Sequence, residues 1–274
     1  MTSVAPSVPR LEARPRIPDR ALPWVSVLSV LVLFEILPRI GILPEAHFPP
    51  ISEILGGLAA QMAGGPFWSA VWNTLQGWAL GLGIAAVMAV PLGIVIGSTG
   101  PLYRAARVLI EFLRPVPSVA LIPLAILIYG TGLESKVFLA AFASFWQLIM
   151  QTIYGVQDVD PVATETARSF GFSRTWRLWH VTLPSAVPYI ATGIRIASAV
   201  ALILSVTAEL VIGSSGLGRE IQIAHAGANA ERMYGLIIAT GLLGLALNAS
   251  FVRVERRVLR WHPSHRPGEE TGRR

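Results

Sequence analysis

The chain has 274 residues, 53% of them hydrophobic and 14% charged. A soluble domain carries about 25% charged residues, so the composition names lipid as the main solvent and excludes an ordinary globular enzyme. The net charge is +6 and there is no cysteine, which excludes disulfides and thiolate metal sites; the basic residues sit in short clusters between apolar runs, as topology signals do, so nucleic-acid binding is not expected.

Residues 1–20 hold four prolines and Arg10, Arg14, Arg16 and Arg20, with no apolar core of a signal peptide. Residues 1–22 are read as a disordered cytoplasmic tail. A spanning helix needs about 20 mostly apolar residues. The first such run is 24–43, inside a region 23–66 that holds this span and an outer loop. Five more follow at 71–97, 109–129, 137–156, 188–212 and 234–254, in a transmembrane domain placed at 67–255. Residues 256–274 form a polar tail, where His262 and His265 have no further ligand beside them and read as solvated side chains. The expected class is therefore an all-α integral membrane protein with six transmembrane helices.

Orientation follows from the basic residues between spans. One side collects the N-terminal arginines, Arg104, Arg107, Arg168, Arg174, Arg177, and Arg253, Arg256, Arg257, Arg260, Arg266, Arg273 and Arg274. The other side has Arg39, Lys136, Arg219 and Arg232. Sixteen against four places both termini in the cytoplasm.

The connection between spans four and five, 159–184, is too polar to cross a membrane yet carries helix signals. Asp160-Pro161 reads as N-cap and first helical residue. Gly171 stops that helix. Ser173 is placed to cap a second one carrying Trp176, Leu178 and Trp179, with Leu183-Pro184 expected to end it. By itself this helix–turn–helix fits either a protein-docking element or a peripheral helix lying on lipid.

Glu165-Thr166-Ala167, then Gly171, then Val181-Thr182-Leu183-Pro184 resembles the EAA loop of ATP-binding-cassette (ABC) importer permeases, departing from it at Thr166 and Val181. Phe112-Leu113-Arg114-Pro115-Val116-Pro117, Ala120-Leu121-Ile122-Pro123-Leu124 and Ser214-Ser215-Gly216-Leu217-Gly218 resemble one branch of that family, which imports nitrate, bicarbonate, taurine, aliphatic sulfonates and some aromatic or vitamin-precursor compounds. The resemblance covers roughly 51–261. It implies a type I ABC importer transmembrane domain in the bacterial inner membrane. It also implies a second permease copy, two ATPase subunits and an extracytoplasmic binding protein. Glu165, Ala167, Gly171, Leu183 and Pro184 are then the expected ATPase-coupling residues.

The chain has no phosphate-binding loop of its own. Such a loop needs a lysine after a glycine-rich turn, and the single lysine, Lys136, follows Glu134-Ser135. No cofactor, catalytic residue or metal ligand set is expected, and ATP hydrolysis is assigned to a partner. Gly81-Leu82-Gly83-Ile84-Ala85-Ala86 mimics a dinucleotide fingerprint but lies in an apolar span, where small residues let helices approach closely. Ionisable groups in a span are costly and are suspected of function. Glu111 and Arg114 are expected to pair three residues apart. Arg195 and Glu209, on span five, are too far apart to pair, and Arg195 reads either as a tie to a neighbouring span or as a ligand for an anion. The expected translocation path runs along spans three and five past Ser118, Arg195, Ser205, Thr207 and Glu209, beside the proline breaks at Pro117 and Pro123. A secondary transporter working alone gives no reason for the structured cytoplasmic loop. A membrane-embedded enzyme lacks a catalytic cluster.

Overall fold

A computed structural model describes residues 22–259. The arginine-rich tails, with His262 and His265, lie outside the described residues. The described residues are helical throughout and contain no strand. The chain divides into two units, Met1–Gly56 and Gly57–Arg274.

The first unit contains α1 (Leu22–Arg39), an apolar helix long enough to span. Its charged end is neutralised locally: Arg39 Nε lies 2.8 Å from Glu35 Oε1, and the same carboxylate accepts from the Ser52 N–H and hydroxyl. Ser52 opens α2 (Ile51–Met62), a helix inside what reads from sequence as an outer loop; the boundary between the units falls within it.

The second unit is built on three long helices, α3 (Gly65–Gly97), α6 (Leu133–Gln157) and α9 (Leu183–Ile212), which pack on one another along their lengths. In lipid there is no hydrophobic drive between apolar helices, so close van der Waals approach of small residues must hold them. The sequence supplies these at helical spacing. Gly193, Ala197, Ala201, Ser205 and Ala208 form the buried stripe of α9, and a side chain at Gly81 of α3 would put its Cβ 2.5 Å from that of Ala140 on α6. Hydrogen bonds between helices add to this. Trp78 Nε1 donates to the Ser198 carbonyl at 3.0 Å, and Ser144 Oγ to the Ala197 carbonyl at 3.1 Å.

Between α3 and α6 the chain makes α4 (Gly100–Leu113), a 3-10 turn (Ser118–Leu121) and α5 (Ile122–Tyr129). The run read as one span at 109–129 is bent by 79° between Leu113 and Ser118. Pro115 and Pro117 explain the bend: Arg114 is still helical at φ −59° and ψ −41°, but neither proline can donate the bond that would carry the helix on, and Pro117 itself is extended at φ −64° and ψ 111°. Pro123 does not break a helix as expected; it occupies the first turn of α5, where a missing N–H is harmless. Among the described residues, five helices are long and apolar enough to cross a membrane, or six if the bent pair is one span. The outer end is closed by α10 (Leu217–Ala226) and α11 (Ala230–Val258), whose Leu217, Ile221 and Leu236 pack with Phe67 and Ala70 of α3. The Glu111–Arg114 pair does not form: Glu111 takes Arg107 at 2.6 Å, one turn behind.

Candidate functional site

The segment between α6 and α9 folds as two short helices. Asp160 Oδ1 accepts the Val162 N–H at 2.8 Å and caps α7 (Pro161–Ser169), with Pro161 in the first turn. The helix stops at Gly171, whose φ is +76°. The Gly171 N–H reaches the Arg168 carbonyl and the Phe172 N–H the Ala167 carbonyl, at 3.0 and 3.1 Å. This pair of bonds satisfies the last carbonyls of the helix only if the intervening residue is left-handed, which suits glycine. Ser173 Oγ accepts the Trp176 N–H at 3.2 Å and caps α8 (Arg174–Arg177). Phe172, Trp176 and His180 stack face to face with centroids 3.8 and 4.4 Å apart, so the second helix is stiffened along one edge. Tyr189 of α9 donates to Asp158 and ties the base of the loop to the span.

Leu183-Pro184 does not end the second helix as the sequence reading expected. A π-helical turn, Leu178–Thr182, joins α8 to α9, and Pro184 lies in the first turn of α9. The wider turn absorbs the donor that proline lacks without breaking the rod. The second helix of this segment and α9 are therefore one continuous helical rod from Arg174 to Ile212. Of the five residues expected from sequence to couple, Ala167 is buried, Glu165 and Gly171 are exposed, and Leu183 and Pro184 are half-buried at the start of α9. Val162, Phe170 and Trp179 expose 69, 76 and 63% of their surface on this segment.

The five expected path residues do not converge. Arg195 and Thr207 line one cavity of about 440 Å³ between α9 and α11, and Arg195 Nε is 3.6 Å from Glu255 Oε2 on α11. Thr207 Oγ1 donates back to the Ile203 carbonyl. Ser205 and Glu209 lie on the opposite face of α9, fully buried, and Ser118 is half-buried in the 3-10 turn.

Glu209 leads to a site that sequence reasoning missed. Lys136, counted from sequence as an outer-loop charge, is instead buried in the first turn of α6, and its Nζ lies 2.8 Å from Glu209 Oε1. The ammonium also donates to the carbonyls of Asn73 at 2.8 Å and Ser215 at 3.0 Å. Glu209 Oε2 accepts from Thr74 Oγ1 at 2.9 Å and the Gly218 N–H at 3.0 Å, and Thr74 Oγ1 in turn accepts the Leu217 N–H. Every proton of the ammonium has an acceptor, so the network ties α3, α6, α9 and the 213–218 turn at their outer ends. Small residues make room for it. A Cβ at Gly77 would lie 2.5 Å from Lys136 Cε, and one at Gly216 would meet the Glu209 carboxylate. The available signal was a lone lysine beginning an apolar span together with a lone glutamate ending another, since charges in lipid must be paired. Their separation of 73 residues hid the pairing. Among the described residues, no group of three or more acidic or histidine side chains is arranged to hold a metal.

The family profile described as binding-protein-dependent transport system inner membrane component matches residues 89–260. The chain is 29% identical over 246 residues to the taurine transport system permease protein TauC of Escherichia coli K12, covering 87% of this chain and 89% of that one. It is 28% identical to the putative aliphatic sulfonates transport permease protein SsuC of the same organism, covering 92% and 96%. It is 33% identical to the nitrate import permease protein NrtB of Leptolyngbya laminosa, covering 71% and 70%. In three dimensions it is similar to a chain of the inward-facing MetNI methionine ABC transporter, with a TM-score of 0.62 at 21% identity, covering 69% of this chain and 94% of that one. An amino acid ABC transporter crystallised with histidines gives 0.58 at 22% identity, covering 72% and 94%.

Proposed function

We propose that this chain, which belongs to the binding-protein-dependent transport system inner membrane components, is the permease subunit of an ATP-driven importer in a bacterial inner membrane. It is a multi-pass membrane protein and a relative of ABC permeases. Its proposed partners are two ATPase subunits, an extracytoplasmic binding protein and a second permease copy. The relatives named for taurine, sulfonates and nitrate support a small anion as cargo. The proposed path follows the Arg195–Thr207 face of α9 and the bend at Ser118.

The observation that carries the reading is the capped helix pair at Pro161–Arg177, whose second helix runs on through a π turn into α9. Work from an external ATPase must cross a protein–protein contact. In this reading α7, with exposed Val162 and Phe170, meets the ATPase, and α8, continuous through the π turn with α9, converts movement at that contact into movement of the span. In this reading Glu165 fixes the angle of α7 against the ATPase, small Ala167 lets α7 pack closely, and Leu183-Pro184 form the fulcrum. The test is Gly171→Leu and Glu165→Arg. At Gly171 a side chain is strained by roughly 1–2 kcal/mol in left-handed backbone. Membrane insertion should survive while ATPase copurification and ATP-driven uptake fall together. Normal association and normal uptake in both variants, at unchanged expression, would overturn the assignment.

A further inference from the structure

Between the helix pair and the inner ends of α3 and α6 lies a polar cleft of about 750 Å³. Arg168, Arg174 and Arg177 line it, against one carboxylate, Glu165. Guanidinium groups stay charged at every working pH, so the lining has two positive charges in excess. Among the described residues, none of the three arginines has a carboxylate within ion-pair distance. Three like charges around one cavity repel one another unless something negative joins them.

Arginines at this membrane face also serve as topology signals and are solvated there. That explanation is sufficient for Arg168 and Arg174, which are exposed. It does not account for Arg177, whose Nε is buried with no hydrogen-bond partner among the described residues. A buried donor left unmade costs free energy, so native structures supply a partner. The chain provides none here; the atom itself is covered, so a partner in the cleft that Arg177 lines meets it once the guanidinium turns toward that cleft.

We propose that this cleft binds a sulfate- or phosphate-like oxyanion group. Guanidinium forks match the paired oxygens of such groups, and the hydroxyls of Thr175 and Thr182 in the same lining add neutral donors. The excess of two charges suits a dianion. The group comes either from a free anion or from the headgroup of an anionic lipid. The proposal does not depend on which solute the protein transports.

The test is calorimetric titration of the full chain, in neutral detergent, with sodium sulfate and separately with sodium phosphate, at constant ionic strength set with chloride. Saturable binding of one anion per chain is expected. Arg177→Gln should weaken it about tenfold or more, the value of one charge-assisted bond. Arg177→Lys should be intermediate, because the charge is kept and the fork lost. Arg253→Gln, on α11 outside the cleft lining, should match the wild type. Unchanged elution and melting temperature without anion establish that the variants fold, and Arg174→Gln provides a second variant. Parallel nanodiscs of neutral or anionic lipid separate the sources. Sulfate binding in neutral discs identifies a free anion. Sulfate binding blocked in anionic discs, with lipid retention lost in Arg177→Gln, identifies a headgroup. Absence of both forms of binding, equal sulfate affinity in wild type and Arg177→Gln, or an effect of Arg177→Gln on ATPase association alone would overturn the proposal. The last outcome would assign Arg177 to the protein contact. Failure of transport leaves this binding result untouched, so the two readings fail separately.

Discussion

Lys136→Met removes an ammonium that is almost fully buried and bonded to Glu209 at 2.8 Å. The carboxylate left behind keeps Thr74 and the Gly218 N–H but loses its only counter-charge among the described residues. Glu209→Gln does the reverse, leaving the ammonium with the carbonyls of Asn73 and Ser215. Breaking a buried pair from one side costs about 3–5 kcal/mol, because an uncompensated charge remains. Removing both charges is different. Lys136→Met with Glu209→Leu leaves no ion; its residual defects are neutral groups that lose a partner, the Gly218 N–H, the Thr74 hydroxyl and the Ser215 carbonyl, an unmade buried bond costing about 1–3 kcal/mol. The double variant should therefore be more stable than either single one, although simple addition gives a loss of about 6–10 kcal/mol. Thermal denaturation in detergent, followed by circular dichroism, reads this out: roughly 10 °C lower melting for each single variant, at about 2–4 °C per kcal/mol, and a partial return in the double. Additive losses, or single variants that melt with the wild type, would refute the paired-charge account.

Gly216 lies at φ +154° with its missing Cβ directed at the Glu209 carboxylate, so Gly216→Ala should lower stability as much as Lys136→Met in the same melt. Gly83→Ala, where a Cβ meets nothing within 4 Å, should be neutral or stabilise by up to about 1 kcal/mol. An accompanying loss in the Gly83 variant would remove the steric explanation. A single cysteine at Ala228, exposed in the turn between α10 and α11, should react in intact cells with a membrane-impermeant maleimide; reaction only from the cytoplasmic side would reverse the topology.

Much of the fold could be read from the chain because lipid imposes a coarse, local rule: long apolar runs become helices. The helix pair between α6 and α9 was legible for the same reason, since Asp160, Pro161, Gly171 and Ser173 act on backbone within three or four residues of themselves. What sequence missed depends on neighbours far away in the chain or on competing local geometries. The Leu113–Ser118 bend required knowing that two prolines four and six residues after Glu111 would end a helix and not merely kink it. Leu183-Pro184 looked like a terminator because a π turn, which proline tolerates, has no sequence signature of its own. Lys136 was counted with the loop charges although it starts a span, and its partner Glu209 is fixed only when α3, α6 and α9 pack. Ser205 and Thr207 are two residues apart, but a helix turns them to different faces, so polarity alone could not assign both to one cavity.

We propose that this chain transports without hydrolysing ATP and takes its work through the Pro161–Arg177 helix pair. It is tested most directly by uptake into proteoliposomes containing the purified chain with its copurifying ATPase and binding protein, using labelled taurine, an aliphatic sulfonate and nitrate in parallel. Uptake of at least one anion should require ATP and all three components, and should disappear with Gly171→Leu although the chain still inserts. Uptake by the chain alone, driven by an ion gradient and indifferent to ATP, would contradict the account.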